Sequence, residues 1–164
     1  MFNKNYSEVI GSKIAVIPAD LNGGATIGEK ITMAKGTRVL IKVLMGDSVG
    51  ASVIFNLKQS QDAAGTGIKA LPTFSNYYYK VGAATVFTEV KGDVDAPVSS
   101  YDVSALFAGD EGILHLEVHA EDLDLENDFA FLSVDIVDPA AAKVIGVSYE
   151  VLGGFNKSMH EVEL

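Results

Sequence analysis

The chain contains no cysteine. Disulfide staples, thiolate metal sites and cysteine nucleophiles are therefore excluded, and a chain without thiols is indifferent to redox state. Arginine occurs once, as Arg38, the other basic residues are lysines, and the net charge is −10. Nucleic-acid binding needs a cationic footprint to neutralise phosphates, and no segment supplies one, so DNA and RNA are not expected partners. No apolar run approaches the roughly 20 residues that span a bilayer, so no membrane is expected either. The opening MFNKNYSEVIGSK has no long apolar stretch, and no secretory leader is expected. A Gly-x-Ser-x-Gly elbow, a P-loop and a Gly-x-Gly-x-x-Gly fingerprint are all missing, which leaves nucleophilic and nucleotide chemistry without a motif.

What is present is an alternating apolar pattern. With 164 residues, 48% apolar and 21% charged, the chain is long enough for one real core. Its 16 glycines against 4 prolines suit short strands joined by tight turns. Strands are predicted at 13–17, stopped by Pro18, at 37–45, at 51–59, at 76–81, at 84–90, at 113–119, at 129–137 and at 143–152, with a faint one within 25–33. Val39, Ile41, Val43 and Met45 share one face, as do Val53, Phe55 and Leu57. The 37–45 and 51–59 strands read as an antiparallel hairpin around Gly46-Asp47-Ser48. Residues 101–107 hold a strand end or one helical turn, and Asp138-Pro139 followed by three alanines reads as a helical turn. The expected fold is all-β, an antiparallel β-sandwich or jelly-roll-like arrangement of seven to nine short strands. The expected division is an N-terminal arm over 1–12, a single β-sandwich domain over 13–155 and an acidic C-terminal tail over 156–164.

Three constellations could carry chemistry. In the first, His115, Glu117 and His119 alternate on a strand and so share a face, opposite Leu114, Leu116, Val118 and Ala120. Imidazole and carboxylate suit zinc or another divalent ion, but a third or fourth ligand must come from elsewhere, and the remaining histidine is His160 near the tail. The bland alternative is a solvated outer strand face. The second constellation, Asp122, Asp124, Glu126 and Asp128, alternates as calcium ligands do. Asn127 stands where a calcium loop wants glycine and Ser133 where it wants glutamate. A charged turn that keeps two strands soluble explains the same residues. The third is Tyr77-Tyr78-Tyr79, which could stack a sugar through Tyr77 and Tyr79, or could be ordinary half-buried β residues. No catalytic residue, cofactor or metal is assigned from these patterns.

Four segments taken in order carry a family resemblance. They are VIFNLKQSQDAAGTGIKAL over 53–71, YYYKV over 77–81, LEVHAEDLDLENDFAFLSV over 116–134, and a closing strand ending in Leu152-Gly153-Gly154. This order resembles small auxiliary or decoration virion proteins of tailed bacteriophages and prophages. It covers roughly 39–155; the acidic ending MHEVEL departs from the basic or aromatic C-terminus of many members. The resemblance implies a non-enzymatic structural role, with the major capsid protein as partner and a homo-oligomer, trimer favoured, on the virion capsid surface after synthesis in the host cytoplasm. Other readings are a head–tail connector or tail component, or, in a different class, a metal-dependent jelly-roll enzyme or a carbohydrate-binding module.

Overall fold

A computed structural model describes residues 11–33, 38–47, 51–73, 76–93, 95–107 and 109–152. In chain order the strands are β1 (Gly11–Asp20), β2 (Thr26–Ile27), β3 (Ile31–Thr32), β4 (Arg38–Met45), β5 (Ile54–Ser60), β6 (Lys69–Ala70), β7 (Tyr77–Val81), β8 (Thr88–Val90), β9 (Ser100–Asp102), β10 (Gly112–His119), β11 (Phe131–Ile136) and β12 (Val144–Leu152). Seven of these have five or more residues; the other five are two- or three-residue segments. No α-helix occurs among the described residues, so no helix there is long and apolar enough to cross a membrane.

The strands form two antiparallel sheets. The first runs β1-β12-β4-β10-β7-β8; the second runs β2-β11-β5-β6, with β3 also on β11 and β9 also on β5. Alternation decides which side chains meet between them. Val39, Ile41, Val43 and Met45 of β4, Leu114, Leu116 and Val118 of β10, and Ile145, Val147 and Tyr149 of β12 turn inward. They pack in one apolar core with Phe55 and Leu57 of β5 and Leu132, Val134 and Ile136 of β11. The result is an antiparallel β-sandwich.

Several sequence expectations change. The 37–45 and 51–59 segments do not form a hairpin: β4 pairs with β10 and β12, whereas β5 pairs with β11, β6 and β9. Each carries an inward apolar row, and the two rows belong to opposite walls of the core. Pro18 does not stop β1, which continues to Asp20. The strand lies at the edge of its sheet, where a missing N–H breaks no ladder bond. Two register shifts bend it, and the Ala15 carbonyl accepts the Glu29 N–H at 2.8 Å. Gly11 and Ser12 belong to this strand, while residues 1–10 and 153–164, with His160, lie outside the described residues, as does Lys35-Gly36. The segment 25–33 yields only β2 and β3. Between them Gly28 donates its N–H to the Val134 carbonyl at 2.9 Å, and a Cβ there would meet that oxygen at 2.5 Å. The Asp138-Pro139 segment is not helical; Ala140 has φ 59° and the Asp138 carboxylate accepts its N–H. β11 begins at Phe131 rather than Phe129.

One side chain ties the two sheets by a polar contact. Tyr149 of β12 lies wholly in the core, and its hydroxyl accepts the Val134 N–H of β11 at 3.0 Å. Burial pushes this phenol far above its ordinary pKa, so it stays neutral. Tyr149→Phe keeps the ring and strands the Val134 N–H without an acceptor. We expect a stability loss of about 1–3 kcal/mol, read from urea unfolding with an unchanged slope. An unchanged midpoint would show that the cross-sheet bond contributes nothing.

Candidate functional site

The outer face of the first sheet gathers the chemistry that the sequence singled out. Directly opposed residues of antiparallel strands share a face. One such row crosses Ser148 of β12, Lys42 of β4, His115 of β10, Tyr78 of β7 and Glu89 of β8. The next row holds Gly146, Leu44, Ile113 and Lys80. A third holds Glu150, Leu40 and Glu117.

His115, Glu117 and His119 do share this face, as the alternation requires, but they are drawn into separate contacts. Glu117 accepts from Arg38 at 2.9 Å and lies 3.4 Å from His119 Nε2. His115 instead stacks beneath Phe87, with ring centroids 4.7 Å apart. Its Nε2 is buried without a hydrogen-bond partner among the described residues. Burial, then the neighbouring Lys42 ammonium, holds the imidazole below its ordinary pKa; Glu150, which is ion-paired with Lys42, works in the opposite direction. Among the described residues no three histidine, aspartate or glutamate side chains gather as they would around a metal ion.

The acidic turn is a corner between the sheets. Ala120–Asp122 and Leu125–Asn127 are single 3-10 turns that carry the chain from β10 to β11. Asp122 Oδ2 accepts the His119 N–H at 2.9 Å. Asp124 accepts from Lys69 at 2.5 Å and from Asn127 at 2.9 Å, and these bonds, the lysine's first, hold its carboxyl below the usual range. The same Lys69 ammonium lies 3.8 Å over the Phe129 ring. Asp122 and Asp124 thus bind groups of their own chain and do not converge on a common point.

The tyrosine run divides as a strand must. Tyr77 and Tyr79 turn inward, edge-on to Tyr101 and Phe107 at 5.9 and 6.1 Å. Tyr77 borders a cleft of about 290 Å³ with Thr73, Lys91, Asp93, Ser100 and Tyr101, which Tyr79 does not line. Tyr78 is the outward ring, and its hydroxyl donates to Glu89 at 3.1 Å. The two tyrosines suggested for stacking a sugar therefore present no shared surface.

Two features had no signal in the sequence. Phe87 was read only as part of a strand, yet it covers His115. Lys143 is 1% exposed; its ammonium donates to the Phe107 and Asp110 carbonyls at 3.2 and 3.3 Å, and burial lowers its pKa. It fastens the loop before β10 to the start of β12.

What the outer face offers is a contact surface. Five of the ten large apolar side chains exposed among the described residues lie on it: Ile14, Leu44, Tyr78, Phe87 and Val144, each 42–59% exposed. Exposed apolar side chains gathered on one face are a recurring feature of interaction surfaces.

The sequence matches no family profile and no curated protein. Among solved structures, the chain is similar to one of infectious bursal disease virus, Gt strain, at 11% identity and a TM-score of 0.26. The alignment covers 94% of this chain and 42% of that one. It is also similar to the VP2 subviral particle of infectious bursal disease virus, at 10% identity and a TM-score of 0.25, covering 93% of this chain and 44% of that one. This chain thus spans less than half the length of the viral chains it matches.

The stacking of His115 has a pH consequence. Its pKa is lowered on folding, so the unfolded chain binds more protons just below the ordinary value of 6.5. The stability that the neutral ring contributes is complete above pH 6.5 and is lost as pH falls from there to the lowered pKa. We expect an NMR midpoint for His115 below 6.5, and we expect His115→Gln to flatten the slope of unfolding free energy in that interval. A midpoint at or above 6.5 would refute the desolvated placement under Phe87.

Proposed function

We propose that this chain is a non-enzymatic structural protein of a virion, an auxiliary or decoration protein that sits on the outer surface of a tailed-phage head as a homo-oligomer. In this reading the β-sandwich domain, expected over 13–155 and extended back to Gly11 by β1, is flanked by an arm and an acidic tail. Its partners are the major capsid protein and further copies of itself, in a trimer or a similar closed ring, and it acts on the capsid surface after synthesis in the host cytoplasm. The observation that carries the reading is the outer face of the first sheet, where the apolar side chains and the singled-out histidines lie on a broad surface suited to another protein. The order of segments from 53 to 154, which resembles small auxiliary virion proteins, supplies the head as the setting. A compact acidic sandwich also suits a protein needed in many soluble copies. Several subunits holding one lattice together gain avidity that one copy alone lacks.

The competing readings meet specific obstacles. A jelly-roll metal enzyme needs His115 and His119 on one ion, and Phe87 covers the first while Glu117 engages the second. A sugar-binding module built on Tyr77 and Tyr79 lacks their shared platform. A head–tail connector or tail part differs from decoration in copy number, since a single ring needs far fewer copies than a surface lattice.

Quantitative mass spectrometry of purified phage-like particles from the source culture, scaled to the major capsid protein, tests the proposal. A near-stoichiometric ratio is expected. A ratio of a few per cent would move the chain to a connector or tail position, and absence from particles would overturn the virion role.

A further inference from the structure

We infer that the outer face of the first sheet is the surface through which one copy of this chain binds a second copy. The inference deepens the proposed role by naming the contact, yet it rests on the face itself and holds for a homo-oligomer outside any virion.

Charge selects the occupant. Two copies of a chain with net charge −10 repel at most orientations. On this face Arg38, Lys42 and Lys80 stand against Asp20, Glu89, Glu117 and Glu150, three positive and four negative, so among the described residues its net charge is only −1 with histidine neutral. Most of the excess acid among the described residues lies off this face. The paired charges also lie within the face, Arg38 on Glu117 and Lys42 on Glu150, and such pairs leave little electrostatic demand on a partner. A strongly basic partner would find its complement on the rest of the molecule, and an acidic one would find no cationic patch here. A copy of the same nearly neutral, apolar surface fits.

Size agrees. Six strands about 4.8 Å apart, with about 3.3 Å per residue over the eight residues of β4 or β10, give a projected area of roughly 600 Å². Side-chain relief raises the accessible area toward the ~800 Å² that each partner buries in a standard interface. The apolar positions are spread over it, with Ile14 and Val144 toward one side, Leu44 in the middle, and Tyr78 with Phe87 over His115 toward the other.

The rival route, edge-to-edge pairing through β1, is blocked locally. Pro18 offers no N–H, two register shifts twist the strand, the Ala15 carbonyl is occupied by Glu29, and Lys13 reaches across to the Lys30 carbonyl at 2.9 Å. Contact through the face needs none of these groups. If the patch meets its own copy the assembly is a closed pair; if it meets a different surface of the neighbour it closes a ring.

Sedimentation velocity on the full chain, alone in solution, tests this. The wild type is expected to form a discrete oligomer at about 100 µM that dissociates on dilution. Leu44→Lys and Val144→Lys are each expected to raise the dissociation constant at least tenfold while far-UV circular dichroism, and Tm measured at dilutions where the wild type is monomeric, stay unchanged, because both side chains are already exposed. Ile68→Lys, an exposed position near β6 of the second sheet, is the control and should leave the oligomer intact. A wild type that stays monomeric, or an oligomer indifferent to both face variants, overturns the inference. If the free chain is monomeric and Leu44→Lys instead abolishes attachment to particles, the occupant is the shell and self-association through this face is refuted while the virion role stands. If the oligomer forms and the variants break it but particles lack the protein, the inference stands and the virion role falls.

Discussion

The whole structure depends on the seam where the two sheets press their apolar rows together. Val39, Ile41 and Val43 of β4 have no exposed surface, and neither do Leu114, Leu116 and Val118 of β10 or Phe55 and Leu57 of β5. Burial of such side chains contributes roughly 1.5–3 kcal/mol each relative to exposure and is set against the entropy of ordering the strands. Dispersion and desolvation are non-directional, so they do not by themselves fix how one sheet lies on the other. The Tyr149 hydroxyl, placed within this seam, adds direction because it meets a single N–H, that of Val134. Gly28 closes the same region from the other side by approaching the Val134 carbonyl more closely than a side chain would permit.

From this seam follows the division of every strand into an inner and an outer row, and that division was legible before any coordinates. The alternation in 37–45, 51–59, 113–119 and 143–152 identified the strands and the members of each row. The pairing of those strands was not legible. The segments 37–45 and 51–59 are close in sequence, are separated by turn residues and alternate in the same way, which is also how a hairpin reads. Period-two patterning states which side chains are inward; it does not state whether the neighbouring strand lies beside them or across the core from them. The register of β4 with both β10 and β12 is a long-range fact, set by which sets of inward side chains fill the common volume. The same limit explains Asp138-Pro139: three alanines favour a helix locally, but the positive φ of Ala140, the buried Lys143 and the bond from its N–H to Asp20 hold the segment out of a helix as it enters β12.

The candidate surface shows a similar split. That His115, Glu117 and His119 share a face follows from spacing alone. Which face of β7 is outward did not follow from its first three residues, which are all tyrosines, and only Lys80 against Val81 gives contrast. The register settles it by placing Tyr78 beside His115 and leaving Tyr77 and Tyr79 against Tyr101 and Phe107. Nothing in the sequence near Phe87 announces that it covers His115, since the two are 28 positions apart and meet only because β8 is the outermost strand beside β7. The acidic turn was read as a soluble corner or a calcium loop, and the deciding partners, Lys69 and Gln59, come from a different sheet.

The pieces on the outer face constrain one another. Phe87 is 42% exposed and shields an imidazole whose Nε2 has no hydrogen-bond partner among the described residues, an arrangement that weakens that histidine as a ligand and favours its neutral form. Neutral His115 keeps the net charge of the face small, and so does the near balance of three basic against four acidic side chains around it. A protein that carries ten excess negative charges and needs only solubility would gain by spreading them over this sheet as well. Their scarcity on it among the described residues, together with the exposed Leu44 and Val144, is the pattern expected where surface is reserved for contact rather than for water. The outer row of the alternation is then as informative as the inner one: the inner row builds the sandwich, and the outer row of the first sheet determines what the sandwich can touch.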